Sequence, residues 1–257
     1  MPREPFKRSP DYLSKKNIIT GRNPVMEALR RNAHIDKILL YKNAHGDSIT
    51  EIKKLAKERN IPIQYVPNEK LNSLTNILHQ GIIAFKSSIA YADLQQNIDF
   101  ILSNGESPLM LMLDGITDVR NIGAIARTAF CFGVHAIIIP EKGVGALQED
   151  AMKSSAGALE HVPVCRVRHL LEGLEILQLN GIRIFASAMN QQKKLHEMEF
   201  RDPCCIIMGN EGTGIQEAVQ AKADTLFSIP MEKQFDSLNV SVAAGIILYE
   251  AGKQRTH

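Results

Sequence analysis

The sequence predicts an α/β protein in which a small α/β domain precedes a parallel sheet covered by helices on both faces. From residue 108 onwards, short and almost wholly apolar runs alternate with helix-like segments, which is typical of parallel strands buried on both faces. Residues 17–90 show a separate alternation of helix and strand patterns. The 257 residues are enough for two ordinary domains.

The predicted organisation has four parts. Residues 1–16 are rich in proline and basic side chains and poor in apolar ones, so we expect a disordered basic arm. Residues 17–90 form the first domain, residues 91–107 a linker that is helical over Asp93–Leu102, and residues 108–257 the second domain.

In the first domain, the sequence predicts two helices from residues that are typical of helix N-termini, together with three strands. Asn23-Pro24 predicts an N-cap and a first-turn proline for a helix through Arg31. Ser48-x-x-Glu51 predicts a capping box for a helix that ends near Arg59. Strands are predicted at Ile35–Tyr41, Ile61–Val66 and Gly81–Ile89, with a short helix over Glu69–Leu74.

The second domain shows a regular alternation of strands and helices. The predicted strands are Leu109–Leu113, Ala136–Ile139, Val162–Val167, Arg183–Ser187, Cys204–Met208 and Thr225–Ile229. The predicted helices are Ile122–Phe132, Leu147–Leu159, Leu170–Leu179, Ile215–Lys222 and a final helix from Val240.

Charge is distributed unevenly along the chain. Residues 1–88 contain 16 Lys/Arg and 8 Asp/Glu, and residues 89–257 contain 14 and 20, within a net charge of +2. The basic first third indicates either a surface that binds a polyanion or a solvated basic face, and charge alone favours neither.

Composition excludes several classes of protein. With 44% hydrophobic and 23% charged residues, the chain is an ordinary globular protein. No apolar run approaches the roughly 20 residues of a membrane helix, and the first residues lack the apolar core of a signal peptide. We therefore expect a soluble, cytoplasmic protein without a membrane partner.

The four cysteines form no CxxC pair and have no histidine at zinc-finger spacing, so the sequence predicts neither a disulfide framework nor a metal site. Cys204 and Cys205 lie in an apolar run. We expect both to be buried, inert thiols.

Three polar loops follow predicted strands, at the edge where parallel sheets bind ligands. The first brings Asn121 to a helix start and Arg127 into an apolar helix, where an arginine needs either an ion pair or an anionic ligand. The second is a glycine-rich turn, Met208–Gly214, that is not a dinucleotide fingerprint. Its Glu211 is either a structural carboxylate or a functional one.

The third loop places Ser237 and Asn239 immediately before the last helix. Small polar residues at this position cap a helix, and the free N–H groups of the first turn also make it a natural polar site. Capping and function therefore both remain open for this pair.

In this order and spacing, the three motifs resemble the SpoU (TrmH) family of RNA ribose 2′-O-methyltransferases, within the SPOUT class. The resemblance covers about residues 108–255. The matching segments are Asn121-x-Gly-x-x-x-Arg127, Met208-Gly-x-Glu211-Gly and Ser237-Leu-Asn239-Val-Ser-Val-Ala.

The first domain is similar to the substrate-binding domain of that family, which resembles ribosomal RNA-binding proteins. The segments that carry this likeness are Gly21-Arg-Asn-Pro-Val-x-Glu-Ala-Leu29 and His79-Gln-Gly-Ile-Ile-Ala84. Within the family, the chain is most similar to the bacterial enzymes that methylate a guanosine of 23S rRNA.

The resemblance implies a C-terminal trefoil knot, S-adenosylmethionine as the cofactor and a homodimer. It implies main-chain contacts with the cofactor from Gly209, Ile229 and Leu238. The active-site set that it implies consists of Asn121, Arg127, Glu211, Ser237 and Asn239.

The expected function is methylation of a ribose 2′-hydroxyl in RNA, and the likeness above implies a guanosine of 23S rRNA. Ser237 and Asn239 can orient the hydroxyl, and Arg127 can clamp a phosphate or stabilise the developing oxyanion, because guanidinium does not lose its proton in proteins. The proton then leaves through water or Glu211. The alternatives are a tRNA methyltransferase of the same family and a non-catalytic RNA-binding protein of ribosome assembly.

Overall fold

The computed structural model describes residues 18–59, 61–144, 147, 149–232 and 237–255. They form two compact units that divide between Ser87 and Ser88. The predicted basic arm, residues 1–16, lies outside the described residues.

The first unit is a four-stranded sheet with helices. Its strand order is β1-β4-β2-β3, in which only β2 and β3 are parallel. Its elements are β1 (Ile18–Thr20), α1 (Arg22–Arg30), β2 (Ile35–Tyr41), α2 (Asp47–Glu58), β3 (Ile63–Val66), α3 (Asn68–Asn72) and β4 (Ile82–Lys86).

The main core of this unit lies between its sheet and the helices α1 and α2. Each helix contributes two fully buried side chains to the cluster that contains Ile38 of β2: Val25 and Leu29 from α1, and Ile49 and Ile52 from α2. Helical spacing of the apolar residues brings them to one face of each helix. Burying this face holds the unit together.

The predicted N-caps of both helices are wrong. Helix α1 starts after Gly21, whose φ is 98°, so Asn23 lies inside the first turn. Helix α2 starts after Gly46, whose φ is 111°, and no side chain caps it. A positive φ that glycine adopts without strain turns the chain into each helix, and Glu51 forms an ion pair with Arg30 (2.6 Å) instead of a capping box.

The second unit is an eight-stranded sheet in which every pair of neighbours is parallel, in the order β10-β12-β9-β11-β6-β7-β8-β5. Its strands are β5 (Tyr91–Ala92), β6 (Leu109–Leu113), β7 (Ala136–Pro140), β8 (Val164–Val167), β9 (Arg183–Ser187), β10 (Lys193–Lys194), β11 (Cys204–Met208) and β12 (Thr225–Ser228). Its helices are α4 (Leu94–Ser103), α5 (Val119–Cys131), α6 (Glu149–Ser155), α7 (Leu170–Leu179), α8 (Glu217–Gln220) and α9 (Val240–Arg255). The predicted fold class, α/β with a parallel sheet, is confirmed.

Both faces of the parallel sheet are covered. Leu111 of β6 belongs to the core cluster that includes residues of α5 and α9, whereas its neighbour Met112 belongs to the cluster that includes residues of α4 and α7. Because successive side chains of a strand point to opposite faces, one apolar run serves both cores. This explains why the strands are almost wholly apolar.

The segment predicted as a linker contributes to the second unit. Its helix is present as α4, and Leu94, Ile98 and Ile101 are buried in a core of the parallel sheet. Asp93 caps this helix by accepting a hydrogen bond from the Gln96 N–H (3.0 Å). The segment therefore packs as part of the α/β layer.

The helix predicted over Leu147–Leu159 is shorter than expected. Helix α6 ends at Ser155 because Ala156 and Gly157 adopt positive φ values of 49° and 87°, and a 3₁₀ turn follows at Ala158–Glu160. Left-handed residues cannot continue a right-handed helix.

None of the helices over the described residues is long and apolar enough to cross a membrane.

The expectation of buried thiols is confirmed for Cys204 and Cys205, which lie in the fully buried strand β11. Burial raises the pKa of the Cys204 thiol to about 11 and raises the pKa of Cys205 well above its usual value. Cys165 is also buried, whereas Cys131 is exposed.

Candidate active site

The loops after β6 and β11 meet at the carboxyl edge of the sheet, because these strands are direct neighbours. The Asp114 carboxylate, 1% exposed, accepts hydrogen bonds from the main-chain N–H (2.7 Å) and the side-chain amide (2.5 Å) of Gln216. The Asn210 amide donates to the Gly115 carbonyl (2.9 Å). These contacts fix the two loops against each other.

The glycine-rich turn after β11 is closed by two main-chain hydrogen bonds between Asn210 and Gly214, of 3.1 and 2.9 Å. A side chain at Gly209 would collide with the Gly214–Ile215 peptide. Glycine at this position is therefore required by the packing of the turn itself. The turn presents Glu211 at its tip.

Glu211 joins the three polar loops. Its Oε1 atom accepts hydrogen bonds from the side-chain amides of Asn239 (2.6 Å) and Asn121 (3.4 Å) and from the main-chain N–H of Val240 (3.0 Å). The last of these donors belongs to the first turn of α9, so the carboxylate also meets the positive end of that helix. One oxygen atom thus holds residues that lie far apart in the sequence.

Asn239 both caps helix α9 and takes part in the polar cluster, the two roles that its position in the sequence left open. Its Oδ1 atom accepts from the main-chain N–H of Ser241 (3.0 Å), as a helix cap does. Its Nδ2 group donates to Glu211 and to the Oδ1 atom of Asn121 (3.3 Å). Capping consumes the oxygen of the amide and leaves the nitrogen to the polar cluster.

Three of the five predicted site residues are therefore in direct contact: Asn121, Glu211 and Asn239. Ser237 is half-buried two positions before Asn239 and makes no hydrogen bond with the part of the chain that is described. Residues 233–236, which precede it, lie outside the described residues.

Arg127 does not join this cluster. It lies on the exposed face of α5 and forms no ion pair or hydrogen bond with any described residue. Six positions separate it from Asn121, which places the two side chains about 120° apart around the helix. The expectation of an arginine enclosed by apolar residues is wrong, because its apolar neighbours in sequence face the opposite side, towards the core.

Gly123, inside the first motif, is required for helix packing, which the sequence did not predict. A Cβ atom there would lie 2.6 Å from the Ala151 carbonyl oxygen and 2.9 Å from the Ser154 Cβ atom. Helices α5 and α6 consequently approach each other more closely at Gly123 than any larger residue allows. An isolated glycine within an apolar helix was the available signal.

Asp114 and Gln216 were also missed. Neither belongs to the three motifs, yet their pairing aligns the loops that hold Asn121 and Glu211. A carboxylate directly after an apolar strand was the signal at Asp114, since a buried charge needs partners.

No group of three or more His, Cys, Asp or Glu side chains that could hold a metal exists among the described residues.

The residues predicted to contact the cofactor lie at the same edge. Gly209 and Ile229 directly follow β11 and β12, Leu238 lies just before α9, and all three are half-buried. Within the described chain, no hydrogen bond involves their main-chain N–H or carbonyl groups. These groups are therefore available to a ligand.

Comparison with known proteins now identifies the family. Residues 108–249 match the SpoU rRNA methylase family. The chain belongs to the SpoU family. Residues 18–92, which include the whole of the four-stranded sheet, match the substrate-binding domain of RNA 2′-O ribose methyltransferases.

Relatives of this SpoU-family chain are similar over almost their full length. A protein of Bacillus subtilis that is named a TrmH family tRNA/rRNA methyltransferase is 34% identical over 237 residues, 92% of this chain and 95% of the relative. A protein of Staphylococcus aureus with the same family name is 37% identical over 238 residues, 93% of this chain and 96% of the relative.

Solved structures share the fold. The SpoU methyltransferase AviRb of Streptomyces viridochromogenes, in complex with AdoMet, is 23% identical over 92% of this chain and 89% of its own, with a TM-score of 0.58. An AdoMet-bound rRNA methyltransferase of Sinorhizobium meliloti is 20% identical over 92% and 87%, also with a TM-score of 0.58. The TrmH/SpoU tRNA-modifying enzyme of A. aeolicus is 27% identical over 63% and 83%, with a TM-score of 0.53.

Proposed function

We propose that this protein transfers a methyl group from S-adenosylmethionine to a ribose 2′-hydroxyl in RNA, and that its substrate is a guanosine of 23S rRNA. The observation that carries this proposal is the convergence of Asn121 and Asn239 on Glu211 at the ligand-binding edge of a SpoU-family sheet. Side chains from three separate loops meet there.

The cofactor fits the residues at this edge. Two similar proteins contain AdoMet, and the main-chain groups of Gly209, Ile229 and Leu238 are free to hold such a molecule. When bound, AdoMet supplies a methyl group made electrophilic by a sulfonium. The family resemblance further implies that the C-terminal segment is threaded into a trefoil knot around this place.

The residues of the cluster orient the reacting hydroxyl. Ser237 and Asn239 lie immediately before α9. The Ser237 hydroxyl, and the Asn239 Nδ2 group once it releases its 3.3 Å contact with Asn121, can hold a ribose oxygen in line for displacement. Glu211 keeps Asn239 in place through the 2.6 Å hydrogen bond. Because the three hydrogen bonds to its Oε1 atom tie Glu211 to Asn121, Asn239 and the first turn of α9, we assign this residue to positioning and the departing proton to water.

Arg127 provides a cation that no described residue neutralises. Its planar group can bind the phosphate next to the target ribose in a bidentate manner. Since Arg127 lies on the exposed face of α5, away from Asn121, we propose that it completes the active site of a second copy of the chain.

A homodimer also agrees with the surface of α9. Val242, Ile246 and Tyr249 are 51%, 38% and 59% exposed, and their spacing places them on one face of this helix. Exposed apolar residues that form a contiguous face indicate an interaction surface. The Tyr249 ring contacts Phe132, which directly follows α5, at 6.0 Å between centroids, so this face is continuous with the helix that carries Arg127.

The assignment to rRNA rests on the first unit. The tRNA-modifying enzyme of A. aeolicus matches only 63% of this chain, whereas the rRNA methyltransferase of S. meliloti matches 92%. The excess of basic residues in the first third supports a separate RNA-binding domain. We accordingly place the enzyme in the cytoplasm, with rRNA as its partner.

The direct test incubates the purified protein with AdoMet that carries a labelled methyl group and with either naked 23S rRNA or total tRNA. We expect label in 23S rRNA at a ribose, and none with the Asn239→Ala variant. Label in tRNA alone would establish the tRNA alternative. RNA binding without any transfer would establish a non-catalytic RNA-binding protein.

A further inference from the structure

The first unit contains a cleft of about 650 Å³, within the range of roughly 300–1,000 Å³ that is usual for small-molecule sites. It lies where the start of α1, the end of β2 and the turn before β4 meet. The side chains that matter for its chemistry are Arg22, Tyr41, Asn43, His45, Asn68 and Gln80. None of the lining residues is acidic.

The guanidinium group of Arg22 is held in a fixed position at this cleft by hydrogen bonds. Its Nε atom donates to the Gln80 carbonyl (3.1 Å), and its NH1 atom donates to the His45 carbonyl (3.1 Å). No carboxylate among the described residues pairs with it. Arg30 at the end of this helix and Arg31 directly after it pair with glutamates at 2.6 Å each.

The fixed position of Arg22 has a chemical consequence. A guanidinium has five N–H donors, and two are used by the carbonyls that hold it. Three donors and the full positive charge remain for a ligand. Since the group is already immobilised, binding an anion costs little further side-chain entropy.

Gln80 supports this arrangement with a backbone conformation that is uncommon for its residue type. Its φ is 51°, in the left-handed region that residues other than glycine, asparagine and aspartate rarely adopt. Its side-chain oxygen accepts a hydrogen bond from the main-chain N–H of Arg22 (3.1 Å). Strained residues of this kind persist where surrounding contacts enforce them, and they concentrate at functional sites.

The other side chains provide an aromatic ring and amides. Tyr41 is half-buried, and its hydroxyl accepts a hydrogen bond from the Asn43 amide (3.3 Å). Asn43 and Asn68 each carry both donor and acceptor groups, as the edges of nucleobases do. An aromatic face, amides and an arginine together form the set that binds unstacked RNA bases.

We propose that this cleft binds one unpaired nucleotide of the RNA substrate, separate from the nucleotide that is methylated. The base stacks on Tyr41 and is hydrogen-bonded by Asn43 and Asn68, while Arg22 binds its phosphate. This inference rests on RNA as the substrate, as proposed above. A paired base cannot enter, because an A-form helix keeps its bases stacked and its major groove closed to side chains.

The test measures binding by the full-length protein of 12-nucleotide single-stranded poly(A), poly(C) and poly(U) RNA and of a 12-base-pair RNA duplex. For the single strand that binds best, we expect Arg22→Met and Tyr41→Leu each to weaken binding about tenfold or more, with little change for the duplex. Arg30→Met removes one positive charge from the same helix outside the cleft. It is expected to weaken both kinds of RNA by the same small factor.

A second pair of variants protects the test against misfolding. Asn43→Ala and Asn68→Ala remove small side chains, neither of them buried, and are expected to reduce the preference among the three single strands. Single-strand binding by Tyr41→Leu equal to that of wild type, with both asparagine variants unchanged, would overturn the proposal. So would an equal loss for single strand and duplex.

The outcome is independent of catalysis, since no methyl transfer is measured. A wild-type protein that binds single strands through the cleft but methylates no RNA would remove the proposed function alone. A protein that methylates RNA while its cleft variants bind normally would remove this inference alone.

Discussion

The Asn239 amide lies 2.6 Å from the Glu211 carboxylate, and this contact joins the glycine-rich turn to the start of the last helix. We expect Glu211→Gln to retain the fold and the shape of the pH–rate profile of methyl transfer, because our account assigns Glu211 to positioning. The rate should fall at every pH by a similar factor. A change in the profile itself would make Glu211 the proton acceptor.

Removing the carboxylate altogether should also affect stability. Glu211→Ala leaves the Val240 N–H without its acceptor and the Asn239 amide with only its 3.3 Å hydrogen bond to Asn121, which costs about 1–3 kcal/mol in the free energy of unfolding. Urea denaturation measures this value. A loss no larger than that of Glu217→Ala, an exposed glutamate in α8, would contradict the role of Glu211 as a junction.

Asn239→Asp places a second carboxyl group against Glu211. Two adjacent carboxylates cannot both ionise easily, so one of them should retain its proton well above the usual pKa of an acid. We predict that methyl transfer by this variant is strongly reduced at pH 8 and recovers, relative to wild type, as the pH falls to 6. The control is Asn239→Ala, which should stay inactive over the whole of this pH range.

Gly123→Ala should separate helices α5 and α6. The new methyl group would meet the Ala151 carbonyl and the Ser154 side chain, and overpacking of this kind costs about 1–3 kcal/mol. Thermal unfolding measures the loss. Combining the change with Ser154→Gly, which removes part of the collision, should recover some stability relative to the sum of the two single variants; strict additivity would refute the steric explanation.

Buried thiols should make the protein sensitive to alkaline pH. Burial raises the pKa of Cys165 from about 9 to about 12, so between these values the folded state keeps a proton that the unfolded state releases. The free energy of unfolding should therefore fall as the pH rises above 9. In urea unfolding at pH 8, 9 and 10, Cys165→Ala should show a shallower decline than wild type, whereas Cys131→Ala, at an exposed position, should not.

Much of the fold was predictable because buried strands have a simple pattern. The strands Leu109–Leu113, Arg183–Ser187 and Cys204–Met208 and the helix Leu170–Leu179 have the predicted bounds. Full burial of a parallel sheet demands apolar residues on both faces, so the signal is strong. Helix starts were less predictable, since Gly21 and Gly46 set them through the conformation of the main chain.

The site was only partly predictable for the same kind of reason. The sequence motifs indicated Asn121, Glu211 and Asn239 as site residues. Their contact through a single carboxylate oxygen, however, depends on β6 and β11 being neighbours in the sheet. The pairing of Asp114 with Gln216 spans 102 positions and leaves no local pattern. The exposure of Arg127 depends on which face of α5 packs on the sheet, and one apolar helix sequence does not reveal this.

Mixed dimers test the source of Arg127. Co-expression of Arg127→Ala and Asn239→Ala chains with different tags allows the mixed dimer to be isolated. If the partner's Arg127 completes each site, one site of this dimer carries both changes and the other carries none, so about half of the wild-type activity should return. Activity no higher than that of the single variants would place Arg127 in the site of its own chain.

The central claim is that the cluster of Asn121, Glu211 and Asn239 belongs to a ribose methyltransferase acting on 23S rRNA. The most direct measurement maps 2′-O-methylation across all rRNA and tRNA in cells with the wild-type protein, with Asn239→Ala and without the protein. We predict one guanosine of 23S rRNA that is methylated only with the wild-type protein. Identical maps in all three strains, or a difference confined to tRNA, would contradict the account.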